Sequence, residues 1–159
     1  FGMRVIYHNR SRLAPALEVQ CAAQYVSKDA LLAQSDHLVL VLPYSAESHH
    51  ALGAAELARM KPTATLINIA RGGIVDDVAL AAALRERRIA AAGLDVFEGE
   101  PRVHPDLLAL PNVVLTPHIA SATLATRRAM ANKAADNLLA FFAGQALPSP
   151  VNLPARSKN

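Results

Sequence analysis

Short, mostly apolar runs dominate the hydrophobic pattern of this chain. Residues 3–8, 23–26, 38–42, 65–70, 91–96 and 113–116 are rich in Val, Ile, Leu or Ala and too short for helices. A strand buried on both faces reads this way, because neither side of its pleat meets water. Helical signals fill the gaps. Ser27 is placed to cap a helix over residues 29–34, and residues 51–60 form another that Lys61-Pro62 breaks. Asp76 and Asp77 put acidic charge in the first turn of a third helix reaching about Arg88. Leu80, Ala83 and Leu84 share one face of it, and Arg85, Arg87 and Arg88 suit its carboxyl end. Buried strands alternating with helices predict an α/β domain, a doubly wound parallel sheet.

The carboxy-terminal part reads differently. Ser121 is a candidate cap for a long helix carrying a stripe of Leu124, Ala131, Ala135, Leu138 and Phe142. Gly144 stands where such a helix ends, and Pro148 and Pro150 prevent its continuation. The tail from Ala146 reads as extended. No strand follows, so the helix is expected to leave the sheet and pack elsewhere. The boundary falls between a sheet domain over 1–120 and a helix with tail over 121–159.

Composition narrows the function classes. A chain of 159 residues with 52% hydrophobic content fits a single buried core. Its net charge of +3 is scattered and its aromatic content is 4%, which disfavours a nucleic-acid surface. No apolar run reaches the roughly 18 residues of a membrane span, and no signal peptide opens the chain. The single cysteine, Cys21, can form no internal disulfide, and a half-buried apolar role in a reducing cytoplasm is expected for it.

Candidate chemistry lies at the strand ends. Ala70-Arg71-Gly72-Gly73, Glu98-Gly99-Glu100-Pro101 and Thr116-Pro117-His118 each follow an apolar run. Ligands of an open parallel sheet sit beyond the carboxyl ends of its strands, so Arg71, Glu100 and His118 are predicted to converge there. A fixed cation, a carboxylate and a titratable imidazole are parts suited to reducing or oxidising an α-oxygenated acid. Taken singly, each has a plainer role: a strand-end cap, an exposed turn carboxylate, a surface histidine. Glu98 is a decoy two residues from Glu100. His49 and His50 look like a metal pair, but adjacent helical residues point in different directions, so no metal site is expected. His8, His37 and His104 stand in no motif.

Residues 68–76 (Asn-Ile-Ala-Arg-Gly-Gly-Ile-Val-Asp), 93–101 (Gly-Leu-Asp-Val-Phe-Glu-Gly-Glu-Pro) and 115–120 (Leu-Thr-Pro-His-Ile-Ala) together resemble the D-isomer-specific 2-hydroxyacid dehydrogenases. Order and spacing match as well, and within that family the chain looks most like the glyoxylate/hydroxypyruvate reductases, including their 2-ketogluconate branch. The resemblance implies a Rossmann-type NAD(P)-binding domain with a carboxy-terminal crossing helix. It makes Arg71 the anchor of a small 2-oxoacid, His118 the general acid and Glu100, before Pro101, the residue that orients His118. It implies Leu42 and Pro43 beside the adenine, Ile69, Ala70 and Arg71 along the cofactor, and Asp95 on the nicotinamide carboxamide. His118 and Ala120 complete that set. It also implies a homodimer.

Residues 3–8 run into Asn9-Arg10-Ser11-Arg12, where dinucleotide folds that prefer NAD place an acidic residue. Two guanidiniums flanking a hydroxyl suit a 2′-phosphate, so NADP is the expected cofactor, with NAD as the alternative. The seven glycines contain no Gly-x-Gly-x-x-Gly. That fingerprint is expected just upstream of Phe1, with the family's substrate domain, so the chain reads as a carboxy-terminal portion of an enzyme. Alone it is expected to show little activity and to aggregate or swap. Two other readings stand beside the reductase: a dinucleotide-sensing interaction protein similar to the C-terminal-binding protein corepressors, and an inactive truncated fragment.

Overall fold

A computed structural model describes residues 2–151. They fall into two compact units, divided between His118 and Ile119. In the first, β1 (Val5–Tyr7), α1 (Pro15–Cys21), β2 (Ala23–Tyr25), α2 (Lys28–Gln34), β3 (His37–Leu40) and α3 (Ala54–Leu57) are followed by β4 (Thr65–Asn68), α4 (Asp77–Arg85), β5 (Ala91–Leu94), α5 (Pro105–Ala109) and β6 (Val113–Leu115). Every predicted strand is present and every pairing is parallel. The strands form two sheets, ordered β1-β2 and β3-β4-β5-β6. β1 and β3 are therefore edge strands, with Val5 on β1 and Val39 on β3 half exposed.

Burial alternates along the larger sheet. Leu38 and Leu40 of β3, Leu66 and Asn68 of β4, and Ala92 and Leu94 of β5 point into one core, while their neighbours are less covered. The apolar runs had suggested full cover on both faces; here one face is buried completely and the other in part. Leu32 of α2, Leu57 of α3, Leu80 and Leu84 of α4 and Leu107 of α5 complete the core, each essentially inaccessible.

Local chemistry sets the helix starts. The Ser27 hydroxyl accepts the Ala30 N–H, and the Asp76 carboxylate accepts those of Val78 and Ala79, so α2 and α4 begin where their caps predict. Helix α3 is only four residues long, shorter than the 51–60 expected, and residues 46–50 are turns. Helices α1 and α5 were not anticipated; each opens on a proline at its first position. Cys21, expected to be half buried, is exposed at the end of α1.

The second unit is α6 (Leu124–Phe142) with the segment after it. Thr123 caps it, accepting the Thr126 N–H, in place of the expected Ser121. Gly144 follows at φ +67°, and the Gln145 and Gly144 N–H groups donate to Ala140 and Phe141. That is the glycine-terminated end the sequence indicates. Leu124, Leu138 and Phe142 of the predicted stripe are exposed. The end of the tail, residues 152–159, lies outside the described residues.

Truncating Leu66, inaccessible on the central strand β4, to alanine is expected to cost about 2–5 kcal/mol. Truncating Val78, largely exposed on α4, is expected to cost less than about 0.5 kcal/mol. Urea unfolding of the two variants checks the contrast.

Candidate active site

Parallel register brings the strand ends into one row. Leu40 lies opposite Asn68, Asn68 opposite Leu94, and Leu94 opposite Leu115. The loops that follow, with Leu42-Pro43, Arg71, Glu100 and His118, leave the sheet side by side. The turn carrying Arg71 is held from below by Asn68, a buried amide. Its Oδ1 accepts the Ala70 N–H at 3.1 Å, and its Nδ2 donates to the Arg71 carbonyl at 3.1 Å. The Arg71 side chain is exposed, and its guanidinium donates to the Ala70 carbonyl at 2.6 Å.

Glu100 and His118 form a pair. His118 Nδ1 stands 2.8 Å from one oxygen of Glu100, whose other oxygen accepts the Phe97 N–H at 2.9 Å. Partial burial pushes the Glu100 carboxyl up, but the hydrogen bonds from His118 and Phe97 more than offset it and hold its pKa below the usual glutamate value. With Nδ1 committed to Glu100, Nε2 of His118 is left to face a ligand. Beneath the pair, Thr116 donates its hydroxyl to the buried Asp95 carboxylate at 2.5 Å.

The Arg71 and Glu100 loops are pressed together. A Cβ on Gly72 would stand 1.8 Å from the Phe97 carbonyl oxygen, so no side chain fits there. Asp77, at the start of α4, accepts the Glu98 N–H at 3.1 Å; its burial raises its pKa more than this bond lowers it. The His50 backbone N–H donates to the Gly73 carbonyl at 2.8 Å, while its Nε2 lies 2.9 Å from a Glu98 oxygen. That hydrogen bond with Glu98 is the largest influence raising the His50 pKa.

Arg71, Glu100 and His118 line one open cleft of about 510 Å³ with Tyr44, Gly72, Gly73, Phe97, Glu98 and Gly99. A second cleft of about 460 Å³ is lined by Val41, Leu42, Pro43, Tyr44, Ile69, Ala70 and Arg71. Tyr44 and Arg71 belong to both. Thus the three proposed catalytic residues share one cleft, and five of the proposed cofactor residues share its neighbour.

The other candidates lie elsewhere. Asn9, Arg10, Ser11 and Arg12 form an exposed turn after β1. Arg12 is held there by both oxygens of Glu18 at 2.8 Å, and Tyr7 donates to the same carboxylate at 2.7 Å. These bonds pull the Glu18 pKa to about 2. Among the described residues no ion pair engages Arg10. Ala120 belongs to the second unit. Sequence reasoning gave no role to Asn68, Tyr44 or Asp77. Asn68 was visible as a polar residue closing an apolar run, and Tyr44 as the aromatic after Leu42-Pro43; nothing marked Asp77 as more than a helix start.

Comparison with known proteins places the chain among its relatives. Residues 1–120 match the family model described as D-isomer specific 2-hydroxyacid dehydrogenase, NAD binding domain. Glyoxylate reductase of Thermococcus onnurineus is 51% identical over 152 residues, which are 96% of this chain and 45% of that protein. A glyoxylate reductase from Paecilomyes thermophila superposes with a TM-score of 0.83 at 45% identity, over 92% of this chain and 44% of that one. The NADPH-dependent glyoxylate/hydroxypyruvate reductase of Sinorhizobium meliloti, solved with NADP and malonate, gives 0.85 at 38% identity, over 94% and 46%. The chain spans about half the length of the relatives it matches.

The depressed Glu100 pKa makes its pairing favour the folded state above the ordinary carboxylate range. That contribution is lost as pH falls through the folded-state value. His118→Ala is expected to raise the Glu100 pKa and flatten the acid side of the stability profile. Carboxyl ¹³C NMR and urea unfolding between about pH 3 and 6 report the two effects.

Proposed function

The chain belongs to the D-isomer specific 2-hydroxyacid dehydrogenase family, and we propose that a protein containing it reduces a small 2-oxoacid of the glyoxylate or hydroxypyruvate class, with NADPH preferred. The observation that carries this reading is the single cleft shared by Arg71 and the Glu100–His118 pair.

Each group has a definite task. The Arg71 guanidinium meets the substrate carboxylate with two parallel N–H donors and stays charged at every working pH. That contact turns the 2-oxo group toward His118. Protonated His118 donates from Nε2 to the carbonyl oxygen, while Glu100 on Nδ1 holds the ring and balances its charge. In the reverse direction neutral His118 accepts the hydroxyl proton.

The second cleft fits a dinucleotide. It lies beyond the carboxyl ends of β3 and β4, its walls are the apolar Leu42, Pro43, Ile69 and Ala70, and it adjoins the first through Tyr44 and Arg71. A dinucleotide held by these residues would supply hydride to the carbonyl carbon from its reduced nicotinamide. Asp95 is assigned to the carboxamide, whose N–H groups its carboxylate would accept.

Support for NADPH comes from the turn after β1. It carries no acidic residue, and it presents Arg10 and Ser11 with Arg12 fixed by Glu18. Arg10 is then the guanidinium open to a 2′-phosphate.

In the full-length protein, Arg71→Ala is expected to raise KM for the oxoacid by about 10- to 100-fold, as follows from losing hydrogen bonds to a charged group. His118→Ala is expected to lower kcat by about 10²- to 10⁴-fold. Steady-state kinetics separate these effects, and unchanged kinetics in either variant would refute the assigned role. Arg10→Ala should lower kcat/KM for NADPH by about tenfold or more and leave NADH nearly unaffected. Equal losses with both cofactors would remove the NADPH preference from this reading.

A further inference from the structure

One group of side chains outside the proposed mechanism brings metal-type donors together. His49, His50 and Glu98 each offer a ligand atom within 4.8 Å of the others. A helical His49-His50 pair would diverge, but the chain at this point is a turn, with His50 at φ +48°. Its ring is thereby swung over that of His49, and the two imidazoles stack with centroids 3.8 Å apart and planes inclined by 22°. The divergence of a helical pair is therefore absent, and both rings reach one ion by rotating out of this stack, because a metal–nitrogen bond lies in the plane of its imidazole.

We propose that His49, His50 and Glu98 form a binding site for a divalent transition-metal ion of the zinc, cobalt or nickel class. Two imidazoles and one carboxylate are a borderline N₂O donor set, which these ions prefer and which magnesium and calcium, seeking oxygen, do not. The His50–Glu98 spacing is close to what such an ion needs. His50 Nε2 and the Glu98 oxygen are 2.9 Å apart, and bonds of about 2.0–2.1 Å to a tetrahedral ion separate neighbouring donors by about 3.3 Å.

Behind His49 stands a hydrogen-bonded partner, and behind His50 a carboxylate at ion-pair distance. His49 Nδ1 stands 3.1 Å from the Tyr44 hydroxyl, and His50 Nδ1 lies 4.0 Å from a carboxylate oxygen of Asp76. Partners on Nδ1 leave Nε2 as the ligating nitrogen, the arrangement in which metal-bound histidines are commonly held. Glu98 and Asp76 supply the negative charge that balances a dication. Three protein ligands leave a position for water or an anion. Because Glu98 and Tyr44 also line the cleft holding Arg71, the ion would stand at the rim of that cleft.

The test is calorimetric titration of the metal-free full-length protein with Zn²⁺, supported by the visible absorption of Co²⁺ added in its place. One ion per chain is expected, at a dissociation constant of about 100 µM or below. His49→Ala and Glu98→Gln are each expected to weaken it by about tenfold or more. His37→Ala, an exposed histidine on β3, is expected to leave it unchanged. The His49 ring takes no part in joining the Arg71 and Glu100 loops, so circular dichroism should show His49→Ala folded. Undiminished binding in folded His49→Ala, or an equal loss in His37→Ala, would overturn the site, as would weaker or superstoichiometric binding to the parent chain. No activity enters these measurements, so the outcome is independent of the proposed reductase function.

Discussion

Parallel pairing in the four-stranded sheet is the constraint on which the rest of the first unit depends. It sets Leu40, Asn68, Leu94 and Leu115 in one row, so four loops begin at the same level and run in the same direction. Register is pinned by burial, since a one-residue slip of β4 would turn Leu66 and Asn68 out of the core. Asn68 carries both aspects at once. Its position in the ladder belongs to the fold, while its amide shapes the turn that presents Arg71.

Above that row the exposed groups rest on buried polar ones. Arg71 is supported by Asn68, the Glu98 backbone by Asp77, and the base of the His118 loop by the Thr116–Asp95 bond. Burying a polar group is costly unless it is hydrogen-bonded; Asn68 bonds the turn that follows its own strand, while Asp77 and Asp95 bond a neighbouring loop. The polar interior therefore fastens the loops to one another as well as to the sheet. It also leaves the groups suited to chemistry accessible while their supports are shielded from water.

Much of this was legible in the sequence, for local reasons. Apolar runs too short for helices gave the six strands, and Ser27 and Asp76 announced helix starts because their oxygens satisfy N–H groups nearby in the chain. Arg71, Glu100 and His118 could be grouped because each follows a strand end. What escaped depends on distant or weak signals. Helices α1 and α5 are too short to show a periodicity, and without α1 the Arg12–Glu18 pair could not be foreseen. Ser121 and Thr123 are equivalent caps on paper, and only the path of the chain selects Thr123. The positive φ of His50 has no residue-type signature comparable to glycine's, so the facing of two imidazoles was hidden.

The contact at Gly72 has a mechanical consequence. Its backbone lies so close to the Phe97 carbonyl that the Arg71 and Glu100 loops cannot slide past each other. Two segments some thirty residues apart in the chain therefore move as one rigid body. The backbone turn that presents Arg71 thus keeps a fixed place relative to the Glu100 carboxylate and the imidazole bonded to it. Little backbone entropy remains to be lost in these loops when a ligand arrives, because folding has already removed it.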